Sequence, residues 1–253
     1  LYFILLINFI FTQPTSSIHI RELENHKYIN IDFQSIDQEL TLTAPFEKSR
    51  HILSHEIIGY LPYWEYENYS TLNYDLLTQI NYFSAELTET GDISNTHGWP
   101  DLAMISFAQD MGVKVKLTAT LFGSAQLTTL LSNDDYRQNS IDNLLSLVLS
   151  AGADGIDIDF ELVPESQREN LVTFMTDLAT EFRSNLPGAI ITMASPAVDW
   201  WGSWDYEALA NICDGLFIMG YDYHWSGSTT AGPVSPLGGF FFDIEYTIYN
   251  YLE

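Results

Sequence analysis

The stretch DGIDIDFE, residues 154–161, decides the fold. Asp157, Asp159 and Glu161 stand two residues apart, with Ile156, Ile158 and Phe160 between and beside them. Alternate side chains of a β-strand point to opposite faces. One face of this strand is therefore a row of acids and the other is wholly apolar. A strand with acids inward and hydrophobes outward suits a barrel jacketed by helices, with chemistry at its mouth.

Similar apolar runs occupy 56–64, 80–87, 113–121, 189–197 and 215–222. Helical periodicity fills 101–111, 135–151, 165–186 and 205–212 between them, and 243–253 after them. Strands alternating with helices form right-handed βαβ units and a parallel sheet. The expectation is an α/β fold, a (β/α)8 TIM barrel that is incomplete here, with about six β/α units present. A doubly wound open sheet is the alternative, weakened by the lack of a glycine-rich phosphate loop after any strand.

The chain has 253 residues and a formal charge of −25, from 9 basic and 34 acidic side chains. That balance argues against nucleic acid or an anionic membrane as partner. It suits a neutral polysaccharide or simply a soluble surface. Cys213 is the single cysteine, so no intrachain disulfide forms, and its apolar setting reads as a buried inert thiol. His51 and His55 are four apart without further ligands, so no zinc site and no cofactor are expected.

Residues 1–11, LYFILLINFIF, are too short to span a bilayer and fit the apolar core of a secretory leader. The chain thus divides into a signal-peptide-like segment at 1–13, an irregular segment at 14–54, and a partial catalytic barrel at 55–253. A secreted, extracellular or periplasmic monomer is expected.

Acids two apart on one strand face lie about 6.5 Å apart. Mutual repulsion and partial burial raise at least one pKa in such a row, which is what a general acid requires. Glu161, nearest the C-terminal end of its strand, is the candidate acid, with Asp157 and Asp159 sharing protons and tuning it. A Mg²⁺ or Ca²⁺ site remains a competing reading of the acids alone.

DGIDIDFE resembles the DGxDxDxE signature of family 18 glycoside hydrolases, the chitinase family. MGYD at 219–222 resembles that family's MxYD element on the sixth barrel strand, and the acidic signature falls on the fourth strand in both. GYLPYW (59–64), INYF (80–83), ITMASPA (191–197) and AGPVSPL (231–237) match more loosely. The resemblance covers about 56–253.

It implies a substrate-assisted, retaining hydrolysis of β-1,4 bonds in chitin or chitooligosaccharides, with no enzyme nucleophile. Glu161 would protonate the glycosidic oxygen, Asp159 would orient the acetamido N–H, and Asp157 would exchange a proton with Asp159. Tyr221 would donate to the acetamido oxygen. Met219 would floor the sugar pocket and Asp222 would reach a sugar hydroxyl. Tyr60 would line the sugar site or pack in the core. Trp225, three residues after Asp222, is the foremost of six tryptophans as a sugar platform.

The implied partner is chitin or another N-acetylglucosamine-containing glycan. An endo-β-N-acetylglucosaminidase acting on N-glycans and a non-catalytic chitinase-like lectin are the alternatives. Phe160 stands where the signature often has Trp, and KLTATLFG (116–123) departs from the small-residue motif of the third strand. The family also places a subsite Trp on its last strand. The sequence stops before that point, which leaves room for the chain by itself to be inactive.

Overall fold

The computed structural model describes residues 17–40 and 53–252. The leader-like run at 1–13 and His51 lie outside the described residues. In chain order the elements are α1 (Ile18–His26), α2 (Phe33–Leu40), β1 (Ile58–Pro62), β2 (Gln79–Leu87), β3 (Ile93–Asn95) and α3 (Ala103–Asp110). There follow β4 (Lys114–Phe122), α4 (Ser124–Leu131), α5 (Asp134–Ala151), β5 (Gly155–Glu161) and α6 (Arg168–Asn185). β6 (Ile190–Pro196), α7 (Tyr206–Ile212), β7 (Gly215–Met219) and α8 (Ile244–Leu252) complete the set. No helix among the described residues is long and apolar enough to cross a membrane.

Six strands pair in parallel in the order β1-β2-β4-β5-β6-β7, and short β3 adds antiparallel to β2. The sheet curls, because Tyr60 of β1 and Phe217 of β7, at its two ends, meet edge to face at 4.9 Å. This is the wall of an incomplete (β/α)8 barrel, as the alternation of apolar runs and helical stripes implies. All six runs become the six parallel strands.

The acidic strand is fully buried along its length. On its outer face Phe160 stacks against Phe174 of α6 at 5.2 Å. Burying side chains of this size stabilises a fold by about 1.5–3 kcal/mol each. Its first residue must be glycine: a Cβ on Gly155 would stand 1.9 Å from the carbonyl oxygen of Ile190 in β6.

Asp154 just before it joins strand to neighbour. Its carboxylate accepts from Val115 N–H at 2.9 Å and pairs with Lys114 Nζ at 2.7 Å. The aspartate and glycine that open the octet thus set the strand in register, while the later acids face the interior.

Helix ends follow local chemistry. Asn133 caps α5 by accepting from the N–H groups of Asp135 and Tyr136, and Gly152 ends it with a left-handed φ of 63°. Two features escape the sequence pattern. α4 begins directly after β4, at Gly123 with φ 106°, where the threonine-rich SAQLTTLL gives little helical signal. The segment expected to be irregular carries α1 and α2, described below where they touch the site.

Candidate active site

The interior face of β5 carries Asp157, Asp159 and Glu161, at most 4% exposed. The in-register partners Thr118, Thr120 and Phe122 of β4 lie alongside. Three buried acids in a row demand compensation, and the barrel supplies it unevenly.

Asp157, deepest of the three, is held on both oxygens. The Tyr60 hydroxyl donates to Oδ2 at 2.7 Å, and the Thr192 hydroxyl donates to Oδ1 at 2.5 Å. Behind Thr192 stands Lys116, wholly buried, with its ammonium donating to the Thr192 hydroxyl at 2.6 Å. Burial lowers the Lys116 pKa, and the charges of Asp157, Asp214 and Glu56 pull the other way. Burial, and then the neighbouring aspartates, push the Tyr60 hydroxyl well above its ordinary value. Tyr60 therefore remains a proton donor to Asp157.

Lys116 escaped the sequence reading. Its signal was present in the pattern: Lys116, Thr118 and Thr120 alternate with Val115, Leu117, Ala119 and Leu121, placing a lysine on the polar inner face.

Asp159 and Glu161 find their partner elsewhere. His19 of α1 places Nδ1 at 2.8 Å from Asp159 Oδ2 and 2.9 Å from Glu161 Oε1. Nε2 of the same ring lies 2.7 Å from the Tyr221 hydroxyl. Burial alone would lower the His19 pKa, but the two carboxylates outweigh it and push it up to about 11. Asp159 is raised by burial, an effect that His19 opposes and the Glu161 charge reinforces. The other Asp159 oxygen, Oδ1, is buried without a partner.

Tyr221 and Asp222 follow the end of β7 rather than lying on it. Asp222 has a left-handed φ of 60°, which turns the chain sharply after Tyr221. Asp222 sits 3.6 Å from Arg21 and also accepts from the Ile18 N–H of α1. Glu161, Met219, Tyr221 and Asp222 line one cavity, together with Trp200 and Trp204.

Trp225 lines a neighbouring hollow instead. Its indole lies across Gly227, where a Cβ would come within 2.1 Å of the ring, so its own turn covers one face. Trp99 is a core residue, its indole N–H donating to the Leu147 carbonyl at 2.9 Å. Trp200 joins the two hollows, and no feature of its local sequence distinguished it from Trp201, which is more than half exposed.

His19, Asp159 and Glu161 form the one group among the described residues whose ligand atoms could share a cation, lying within 4.8 Å of one another. The contacts are those of a proton donor between two carboxylates.

Residues 56–253 match the family model described as Glycosyl hydrolases family 18. The chain is 30% identical over 181 residues to a Bacillus subtilis protein named as the sporulation-specific glycosylase YdhD, covering 68% of this chain and 42% of that one. The crystal structure of YdhD superposes with a TM-score of 0.62 at 28% identity, over 73% of this chain and 62% of that one.

Chitotriosidase-1 of Mus musculus is 28% identical over 130 residues, covering 46% of this chain and 28% of that one. A chitinase of Cycas revoluta, solved with (GlcNAc)3, superposes with a TM-score of 0.67 at 22% identity, over 77% of this chain and 64% of that one. The chain thus spans less than half the length of both curated relatives.

Proposed function

The chain belongs to the glycosyl hydrolases of family 18, and from that premise we propose that its site hydrolyses β-1,4 bonds of chitin-type, 2-acetamido sugar polymers by a substrate-assisted mechanism. The observation that supports this is convergence. Asp159, Glu161 and Tyr221 all reach a single five-membered ring, at 2.8, 2.9 and 2.7 Å. Strand β5 and the turn after β7 bring a proton donor, an anion and a hydroxyl to one point, the place this reading gives to a sugar's acetamido group.

In the first step Glu161 gives its proton to the glycosidic oxygen as the C1–O bond breaks. The acetamido oxygen closes onto C1, forming a cationic oxazolinium ring. Asp159 accepts the ring N–H and offsets its charge. Tyr221 donates to the acetamido oxygen and holds it in line for attack. In the second step the Glu161 carboxylate takes a proton from water, whose oxygen bonds to C1 and opens the ring. Configuration is retained because C1 is inverted twice.

Asp157 touches no substrate in this scheme. Tyr60, Thr192 and Lys116 fix it below Asp159, where it sets the field that Asp159 feels. Met219 and Trp200 wall the sugar's cavity.

Polymers of 2-acetamido sugars other than chitin fit the same chemistry, and the likeness to a sporulation-specific glycosylase keeps them in view. Export, suggested by the run at 1–13, would bring the protein to a substrate too large to enter a cell. Recovery of the protein from culture medium tests that part.

The decisive experiment compares the wild type and Glu161→Gln on N-acetylglucosamine oligomers, N-glycans and bacterial wall glycan. Loss of general acid catalysis lowers the rate by on the order of 10²–10⁴. Undiminished hydrolysis by Glu161→Gln would sink the assignment. Tight binding with no turnover by the wild type would identify a lectin.

A further inference from the structure

The proposed catalytic groups are engaged by the chain itself. α1 lies outside the family-matched region of 56–253, yet its directed contacts go to the site. Ser17 caps the helix by accepting from Ile20 N–H at 3.1 Å, and it also lines the cavity beside Glu161. His19 fills the point where Asp159, Glu161 and Tyr221 converge, with Phe83 and Tyr221 rings at 5.5 and 6.0 Å around it. Arg21 faces Asp222 at 3.6 Å. At the far end, His26 stacks flat on Trp64, centroids 4.2 Å apart and planes within 4°.

A helix that serves the fold buries an apolar stripe. α1 buries no residue fully, and only Leu23 from it packs against the hydrophobic core. What holds it is a set of charged and aromatic contacts to the cleft. The segment holds Arg21 and Lys27 against Glu22 and Glu24, so its charges balance, and it is Arg21 that faces the acidic cleft.

The ring chosen is also informative. A protonated imidazole is a planar, five-membered cation with an N–H at either side. The oxazolinium intermediate is likewise a planar, five-membered cation, with an N–H for Asp159 to accept. A site shaped for one accommodates the other, and both cannot be present together.

We propose that the acetamido subsite of this cleft is a binding site for the chain's own residues 17–26, with the His19 ring standing in for the cationic intermediate and shutting substrate out until α1 leaves. The proposal rests on the reading of Asp159, Glu161 and Tyr221 as the sugar site. Apparent affinity for sugar falls in proportion to the fraction of molecules with the cleft open.

The test uses the full chain, its His19→Ala and Arg21→Ala variants, and N-acetylglucosamine tetramer as probe. Binding is measured by calorimetry and hydrolysis separately, with circular dichroism to show that each variant is folded. His19→Ala is expected to bind the tetramer at least about tenfold more tightly, a change of ~1.4 kcal/mol. Arg21→Ala should move the same way by a smaller factor. A synthetic peptide of residues 17–27, added to His19→Ala, should compete with the tetramer, and the same peptide with alanine for His19 should not.

Equal tetramer affinity in the wild type and both folded variants overturns the plug, whatever the hydrolysis rate. Tighter binding by His19→Ala keeps the plug whether or not hydrolysis follows, and the catalytic reading is decided separately by Glu161→Gln. If His19→Ala does not fold, the Arg21→Ala affinity decides: no gain there overturns the proposal.

Discussion

Asp157 and Asp159 sit two residues apart on one strand, both fully buried, yet the molecule treats them differently. Asp157 is satisfied by the barrel, through Tyr60 of β1 and Thr192 of β6. Asp159 has one oxygen without a partner and takes the other's partner from α1, 140 positions away in sequence. The difference separates a fixed floor from a mouth built to receive a guest. A carboxylate satisfied by its own scaffold cannot turn to a substrate. One that borrows its partner can exchange it.

The largest effect expected to sharpen this contrast comes from Asp159→Asn. Removing a group that stabilises charge in the transition state costs on the order of 10²–10³ in kcat. Asp157→Asn keeps the Tyr60 and Thr192 contacts within reach and should cost clearly less. If kcat falls equally in both, the division into floor and mouth is wrong.

Next in size is Lys116→Met. The side chain keeps its bulk but no longer donates to Thr192, leaving a buried polar group short of a partner at about 1–3 kcal/mol of stability. The acidic limb of the kcat profile should shift as well, because a positive charge near the acids has gone. Urea unfolding and a pH–rate profile read the two effects, and an unmoved profile would make Lys116 purely structural.

A pH-dependent effect belongs to the mouth. His19 is raised from 6.5 to about 11 in the folded chain. A group whose folded pKa is raised stabilises fully below its unfolded value and less as pH climbs through the folded value. The stability difference between the wild type and His19→Ala should therefore be greatest below pH 6.5 and shrink from there to about pH 11. Unfolding free energies of the two chains across that range check this, and a constant difference would break the account. The smallest effect is at Trp225. Its covered ring predicts less than about a twofold change in KM for Trp225→Ala, on the scale of a single surface contact, with Trp200→Ala the larger.

The contrast also explains what the sequence could show. Six parallel strands were legible because an acid-and-hydrophobe or apolar run recurs between helical stripes, and period-2 alternation fixes which way each side chain faces. That same alternation placed Asp157, Asp159 and Glu161 together, and the MGYD turn supplied Tyr221 and Asp222.

Lys116 was legible in principle, since its parity matches Thr118 and Thr120, but a lysine inside a barrel runs against the habit of reading lysine as surface. α1 was not legible. No local pattern in its sequence reports that His19 meets a strand 140 positions later. Trp225 shows the converse limit: nearness in sequence to Asp222 places its ring in an adjoining hollow rather than in the cavity that Asp222 lines.

The account's central claim is that Asp159, Glu161 and Tyr221 guide a sugar's own acetamido oxygen onto C1. The most direct measurement is the anomeric form of the first product released from N-acetylglucosamine oligomers, followed by proton NMR before mutarotation. The account predicts the retained β-anomer. An α-anomer formed first would mean that water attacks C1 directly, and would contradict it.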